Sequence, residues 1–340
     1  MSTTKLFFPA GVKIDSVYLA HVGEQSIDQG LEDLFIHPTG DWAPNFTGSK
    51  SYAPEVSVET MDITKALDLM TINALCADLS AVDVDIFQRS VQSHAMAYDA
   101  DEAVHLVFRL TDNAMLYWEQ ITVNQNEECK ISLKLPVADN GTNAPLLQVP
   151  DQTIDDPGEQ NAPFTLGPIE VITDGGGSAI VITGLKSFTW NNNPEVLKEA
   201  ADGDESPGFL ALQRVRPVLS FETTELEVIE SNFCVTDQKG IGLDRVRVFL
   251  RRRRPNKINY ADTDQVHAKL EADANGAPGT IASLRWKRVS GDPAKAAVEI
   301  HLHRLGTAPL FTYTKNVAIS TGTGTTTTTT TSTSTTSGGT

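Results

Sequence analysis

The chain has 340 residues, 40% of them hydrophobic and 21% charged, with a formal net charge of −17. There is enough apolar material for two globular cores, and the acidic excess excludes a sequence-reading nucleic-acid protein and attraction to an anionic membrane, since both need Lys and Arg against phosphate. No apolar run approaches the roughly 20 residues of a membrane helix, the N-terminal MSTTKLFFPAGV makes a poor signal peptide, and Cys76, Cys129 and Cys234 suit buried thiols of a reducing cytosol rather than disulfides or a zinc site.

In chain order, Val12, Ile14, Ser16 and Tyr18 alternate as a strand does. Gly40 to Pro54 is rich in Gly, Pro, Asn and Ser and reads as a long loop. Val56 and Val58 then open a strand that runs into a helical stretch spaced by Ile63, Ala66, Leu67 and Met70. Residues 81–89 alternate Val82, Val84 and Ile86 against Asp83 and Asp85, and β-type runs follow at 103–110, 115–123 and 129–137. An acidic, proline-bearing connector covers about 148–163. Beyond it the second part adds a hairpin of its own, Leu166 to Ile172 and Ala179 to Trp190, turning through Asp174-Gly175-Gly176-Gly177. Strands are expected at 245–250, 264–270, 279–288 and 296–304, and from Ser320 the Thr/Ser-rich tail cannot build a core, though such a run could carry O-linked glycans as a stalk.

One motif recurs. Gly40, Asp41, Pro44, Phe46, Pro54, Ser57, Glu59 and Thr60 reappear 163 residues later as Gly203, Asp204, Pro207, Phe209, Pro217, Ser220, Glu222 and Thr223. The echo continues at 162, with Asp85-Ile86-Phe87 against Arg247-Val248-Phe249 and Val104-His105 against Val266-His267, then at 168 for Trp118 and Trp286 and at 164 for 144–146 and 308–310. Upstream, Gly11-Val12-Lys13 matches Gly184-Leu185-Lys186 at offset 173. Two copies of one domain with loop changes between them explain this wandering shift. The expected division is 1–149, a linker at 150–163, 164–319, and a tail at 320–340. The fold class is mainly β: two duplicated β-sandwich or barrel-like domains, each with a short helix.

Catalytic patterns are weak. The Gly-rich 174–178 stretch has no Lys and leads into a strand, so it reads as a turn and not a phosphate loop. His301 and His303 share a strand face without a third ligand, and paired histidines such as His105 and His267 are expected to hydrogen-bond within the fold. Glu59 and Glu222, beside Thr60 and Thr223, are expected to organise the strand end and the next turn. Arg251 to Arg254 reads as a solvated or subunit-facing charge run. No enzyme activity, cofactor or metal is assigned. Asp83 and Asp85 stand where the second copy has Arg245 and Arg247, an opposition of charge that would tell the copies apart during assembly.

The strand starts Val-Ser-Val-Glu-Thr-Met-Asp-Ile at 56–63 and Leu-Ser-Phe-Glu-Thr-Thr-Glu-Leu at 219–226, with Gly-Thr-Asn-Ala-Pro-Leu at 141–146 and Gly-Thr-Ala-Pro-Leu at 306–310, give a chain that resembles the tail tube proteins of long-tailed bacteriophages. The resemblance implies sandwich domains with a flanking helix, six to a ring, stacked into a conduit through which DNA passes without specific binding. With two domains per chain, three chains would make a pseudo-hexameric ring in the virion tail, assembled in the host cytoplasm beside other tail proteins. It also implies that the long loops touch a neighbouring ring, so the candidate inter-ring or inter-subunit residues are Gly40, Asp41, Trp42, Pro44, Phe46, Pro54, Gly203, Asp204, Pro207, Phe209 and Pro217; the charge contrast between the copies adds Asp83, Asp85, Arg245 and Arg247. The alternatives are a double jelly-roll capsid protein and a secreted carbohydrate-binding or adhesive protein on a Thr-rich stalk.

Overall fold

Alternation of buried and exposed residues, as in Val56 and Val58 between Glu55, Ser57 and Glu59, makes most of this chain strand. The computed structural model describes residues 5–36, 46–80, 82–91, 97–110, 113–139, 144–155, 162–173, 177–201, 204–233, 241–256, 258–273, 279–287, 293–304 and 309–319. The first half holds β1 (Leu6–Ile14), β2 (Val17–Leu19), β3 (Val22–Asp28), β4 (Leu31–Ile36), β5 (Phe46–Tyr52), β6 (Glu55–Thr60), α1 (Ile63–Asp68), β7 (Cys76–Asp78), β8 (Val84–Val91), β9 (His105–Leu110), β10 (Met115–Asn124), β11 (Lys130–Pro136) and β12 (Leu146–Gln152). The second holds β13 (Phe164–Thr173), β14 (Ile180–Ile182), β15 (Leu185–Asn191), β16 (Glu195–Glu199), β17 (Phe209–Arg214), β18 (Val218–Thr223), α2 (Leu226–Phe233), β19 (Ile241–Arg252), β20 (His267–Asp273), β21 (Gly279–Lys287), β22 (Lys295–Leu302) and β23 (Thr312–Val317). The protein is mainly β, and every strand pairing described is antiparallel.

The two halves use one pairing scheme. In the first, β2-β1-β8-β9-β12 form one sheet, β3-β6-β11-β10 form another, and β4 pairs β5 in a separate ribbon. In the second, β14-β13-β19-β20-β23, β15-β18-β22-β21 and the ribbon β16-β17 repeat those neighbours, with one addition: β19 also pairs with β21 through Ile241–Leu243, joining the two groups into one sheet. Val12, Ile14, Val84 and Ile86 from one sheet and Val58, Ile131 and Leu133 from the other enter a single apolar core that continues through Val246, Phe221 and Ile300 of the second half. Burial of such side chains contributes about 1.5–3 kcal/mol each.

Several sequence expectations change here. Val12 to Tyr18 is not one strand but a hairpin, because the chain reverses at Asp15, whose φ of 52° is a left-handed value that aspartate tolerates. The first half therefore has the hairpin expected only of the second. Register puts Val12 opposite Ile86 and Ile169 opposite Val248, so β1 corresponds to β13, and the Gly11 to Gly184 match at offset 173 is not the structural one. Trp118 and Trp286 are not equivalent either: Trp118 faces Leu133 on β11, whereas Trp286 faces Ala296, the counterpart of Ile131. Trp286 thus stands at the place of Ile121. Of the expected loop Gly40–Pro54, Phe46–Tyr52 is a strand and the part up to residue 45 lies outside the described residues, as do 320–340. Pro150–Gln152 of the expected linker belong to β12, and Ile154 is buried against Tyr18, Phe87 and Val107.

The shared Thr residues organise one corner of each half, whereas Glu59 and Glu222, expected to do the same, pair across strands with Lys130 and Lys287. Thr60 Oγ1 donates to the His21 carbonyl at 3.1 Å and accepts from Asp62 N–H at 3.1 Å; Thr223 Oγ1 donates to Thr183 at 2.8 Å and accepts from Glu225 N–H at 3.0 Å. Both helices start from this turn. His105 and His267 are likewise matched: each is fully buried, Nδ1 accepting from Ser90 or Arg252 N–H (3.0 and 3.1 Å) and Nε2 lying against the Asp99 or Ala261 carbonyl (2.7 and 2.8 Å). They pin the 97–104 and 259–266 connections to the sheet.

Candidate assembly interface

The halves meet edge to edge. β10 pairs with β15 through Gln120↔Asn191, Ile121↔Trp190, Thr122↔Thr189, Val123↔Phe188 and Asn124↔Ser187, giving the eight-strand run β3-β6-β11-β10-β15-β18-β22-β21. Behind it Trp118, Trp190 and Phe311 pack edge to face at 5.1–6.4 Å between centroids. Trp118 Nε1 donates to the Ala74 carbonyl at 2.9 Å, and the buried Asn192 bridges the backbones, its N–H donating to Glu119 and its carbonyl accepting from Arg216 N–H. Sequence patterns concealed this junction, because a sheet edge carries no spacing signal of its own and its two strands lie far apart in the chain.

A second contact comes from the ribbon of the second half. Val196, Leu210 and Leu212 cover Cys76, Met115 and Tyr117 of the first half, and Lys198 reaches Glu55 at 3.0 Å. The adjoining turn docks beside it, where Tyr52 N–H donates to the Glu205 carbonyl at 2.7 Å and Asp139 N–H to the Pro207 carbonyl at 2.8 Å. Of the residues expected to assemble, Pro207 is buried here, Asp204 and Phe209 are exposed, and Pro54 and Pro217 are buried at strand starts, their carbonyls accepting from Val137 and Leu302 N–H at 3.0 and 3.1 Å. Phe46 begins β5; Gly40, Asp41, Trp42, Pro44 and Gly203 lie outside the described residues.

The opposed charges are paired within the chain. Across β1, β8 and β9 the register aligns Lys13, Asp85 and Arg109; across β13, β19 and β20 it aligns Glu170, Arg247 and Glu271, the same three places with every sign reversed. Arg109 holds Asp85 through Nε and Nη2 at 2.7 and 3.0 Å, while Arg247 reaches Glu271 at 2.5 Å and Glu170 at 2.9 Å, with Arg245 at 3.3 Å from Glu170. Asp83 is exposed at the turn before β8. Burial pushes the Glu271 carboxyl up, but hydrogen bonds from Lys269 and Arg247 outweigh it and hold the group below the usual glutamate range. The Arg251–Arg254 run is similarly spent: Arg251 binds Asp262 at 2.8 Å, Arg253 binds Glu128 at 2.6 Å, Arg252 lies over Phe164 and Arg254 over Tyr260. Arg251 to Arg253 are half-buried and Arg254 is exposed, so the run is partly solvated and engaged within the chain.

Apart from Tyr117, which the ribbon of the second half covers, the outer face of the eight-strand run is largely polar. By register it presents Glu24, Asp28, Glu55, Glu59, Glu222 and Glu299 against Lys130, Lys134, Arg285, Lys287 and Lys295. Several pair across strands, as Lys130 with Glu59 at 2.7 Å, and Lys287 with Glu222. Signs nearly balance, so the −17 of the chain is not concentrated there. The acids gather toward the β3 end and the bases toward β21. Among the described residues no group of three or more His, Cys, Asp and Glu could hold a metal ion, and no helix is long and apolar enough to cross a membrane.

No protein-family model matches this chain, and a search of curated proteins returns no match.

Proposed function

We propose that this chain is a virion structural protein, a tail-tube subunit built from two copies of one β-domain, three chains of which close into a pseudo-hexameric ring that stacks into a conduit for DNA. The observation that carries the reading is the β10–β15 junction. It joins unlike edges of two halves with the same pairing scheme, and it leaves at the two ends of the run β3 and residues 283–287 of β21, whose Gly279–Ile281 start pairs with β19. A head-to-tail contact of this kind repeats from chain to chain and makes a ring where its rotation closes.

Carrying the in-chain register over, β21 of one chain meets β3 of the next with Arg285 opposite Asp28, Trp286 opposite Ile27 and Lys287 opposite Ser26. The chemistry suits the match. Trp286, 41% exposed, occupies the place where Ile121 is fully buried at the internal junction, and a partner strand would cover it. Arg285 and Asp28, both exposed, replace the neutral Gln120 and Asn191 with an opposite-charge pair that gives direction to the join. The polar face with balanced, cross-paired charges would line the ring and offer DNA phosphates no net cationic surface to hold them.

Light scattering and negative-stain microscopy of the purified chain test this. Rings or tubes are expected, with Asp28→Arg or Arg285→Asp each weakening assembly and the double variant recovering it. A chain that stays monomeric at high concentration overturns the ring, and closed shells instead of tubes would favour the capsid alternative.

A further inference from the structure

We propose that an open pocket in the second half is a socket for residues 40–45 of a second copy of this chain. The inference rests on the ring reading above and names the contact that locks it.

Among the described residues, two equivalent places differ in occupancy. In the first half, the backbone at Tyr52 and Asp139 is capped by the turn Asp204–Gly208 through the two hydrogen bonds given above, with Ser206 and Pro207 buried and Ala138 only 2% exposed beneath them. Strand register makes Val215, Pro217, Leu302, His303 and Arg304 the counterparts of Tyr52, Pro54, Val137, Ala138 and Asp139. The bond from Leu302 N–H to Pro217 repeats that from Val137 N–H to Pro54. There these residues line an open cavity of about 720 Å³, and His303, where Ala138 is buried, is exposed.

The occupant follows from the sequence. Residues 204–207, Asp-Glu-Ser-Pro, fill the first place; residues 41–44, Asp-Trp-Ala-Pro, are their counterpart 163 positions earlier. In a ring, the first half of one chain approaches the second half of its neighbour as the two halves of one chain approach each other. Trp42 stands where Glu205 does, and the cavity, bounded by Leu75, Val215, Pro217 and Leu310, has the room and apolar wall for an indole. Asp41 would enter beside Arg216 and His303, and the Trp42 carbonyl would accept from Val215 N–H, as the Glu205 carbonyl does from Tyr52 N–H.

A photo-crosslinking amino acid at position 42 of the full-length chain, in a mixture of isotopically light and heavy protein, tests the contact. Crosslinks between chains are expected on 215–218 and 302–304. Trp42→Ala should raise the concentration for half-assembly about tenfold, with Trp42→Phe recovering most of it and the urea midpoint of the dissociated chain unchanged. Rings whose crosslinks fall elsewhere, or wild-type assembly by Trp42→Ala, overturn the socket and leave the ring reading standing. A wild-type chain that forms no assembly overturns both.

Discussion

Replacing Trp118 and Trp286 by Ala, separately, separates core from edge. Trp118 is 1% exposed, packs against Trp190 and Phe311, and donates Nε1–H to Ala74. Truncation removes most of an indole's burial and leaves a cavity, a cost of about 3–5 kcal/mol, and strands the Ala74 carbonyl for roughly 1 kcal/mol more. Because the cavity opens between the halves, both should lose stability together. Trp286, 41% exposed on an edge that can relax, should cost the monomer about 1–2 kcal/mol and act chiefly on assembly. Urea unfolding followed by far-ultraviolet circular dichroism, with hydrogen exchange resolving each half, measures both. If Trp118→Ala unfolds only one half and leaves protection in the other unchanged, the shared-core argument is wrong.

His105→Ala and His267→Ala should each cost about 2–4 kcal/mol, because each strands a buried backbone donor and a carbonyl; equal urea midpoints for wild type and variants would refute the pinning role. Glu271 is held below its ordinary pKa in the folded chain, so its contribution is fully present above the unfolded glutamate range and is lost as pH falls through the folded value. Glu271→Gln should flatten the acid limb of a stability-versus-pH curve, and an unchanged slope below about pH 4.5 counts against it. Cys76 and Cys129 are buried, and burial raises both thiols. A thiol-reactive dye should therefore leave both unlabelled in the native protein, as peptide mapping would show, and reach them only after unfolding.

Where letters and structural register coincide, sequence was a sound guide. The 163 offset carries Pro54 to Pro217 and Thr60 to Thr223, which make matching backbone hydrogen bonds, and the 162 offset carries His105 to His267. These residues serve the local backbone, so their geometry follows from the chain around them. Trp118 and Trp286 misled because identity of type does not fix register: a strand with its bulge between Ile281 and Ser283 instead of Trp118 and Gln120 places the same letter differently. Asp85 and Arg247 were visible as opposed charges, but their partners Arg109 and Glu271 lie 24 residues away on neighbouring strands.

By itself the sequence determined the β character, the internal echo and the corner turns, all of which depend on contacts between near neighbours and a period of two. Only the tertiary structure decided that β10 and β15 fuse the halves into one sheet, that the 204–208 turn caps the first half, and that β3 and residues 283–287 of β21 lack a neighbouring strand on one side among the described residues. The physical reason is that backbone hydrogen bonds between strands are the same for every residue, so which edges meet is set by how two whole cores pack.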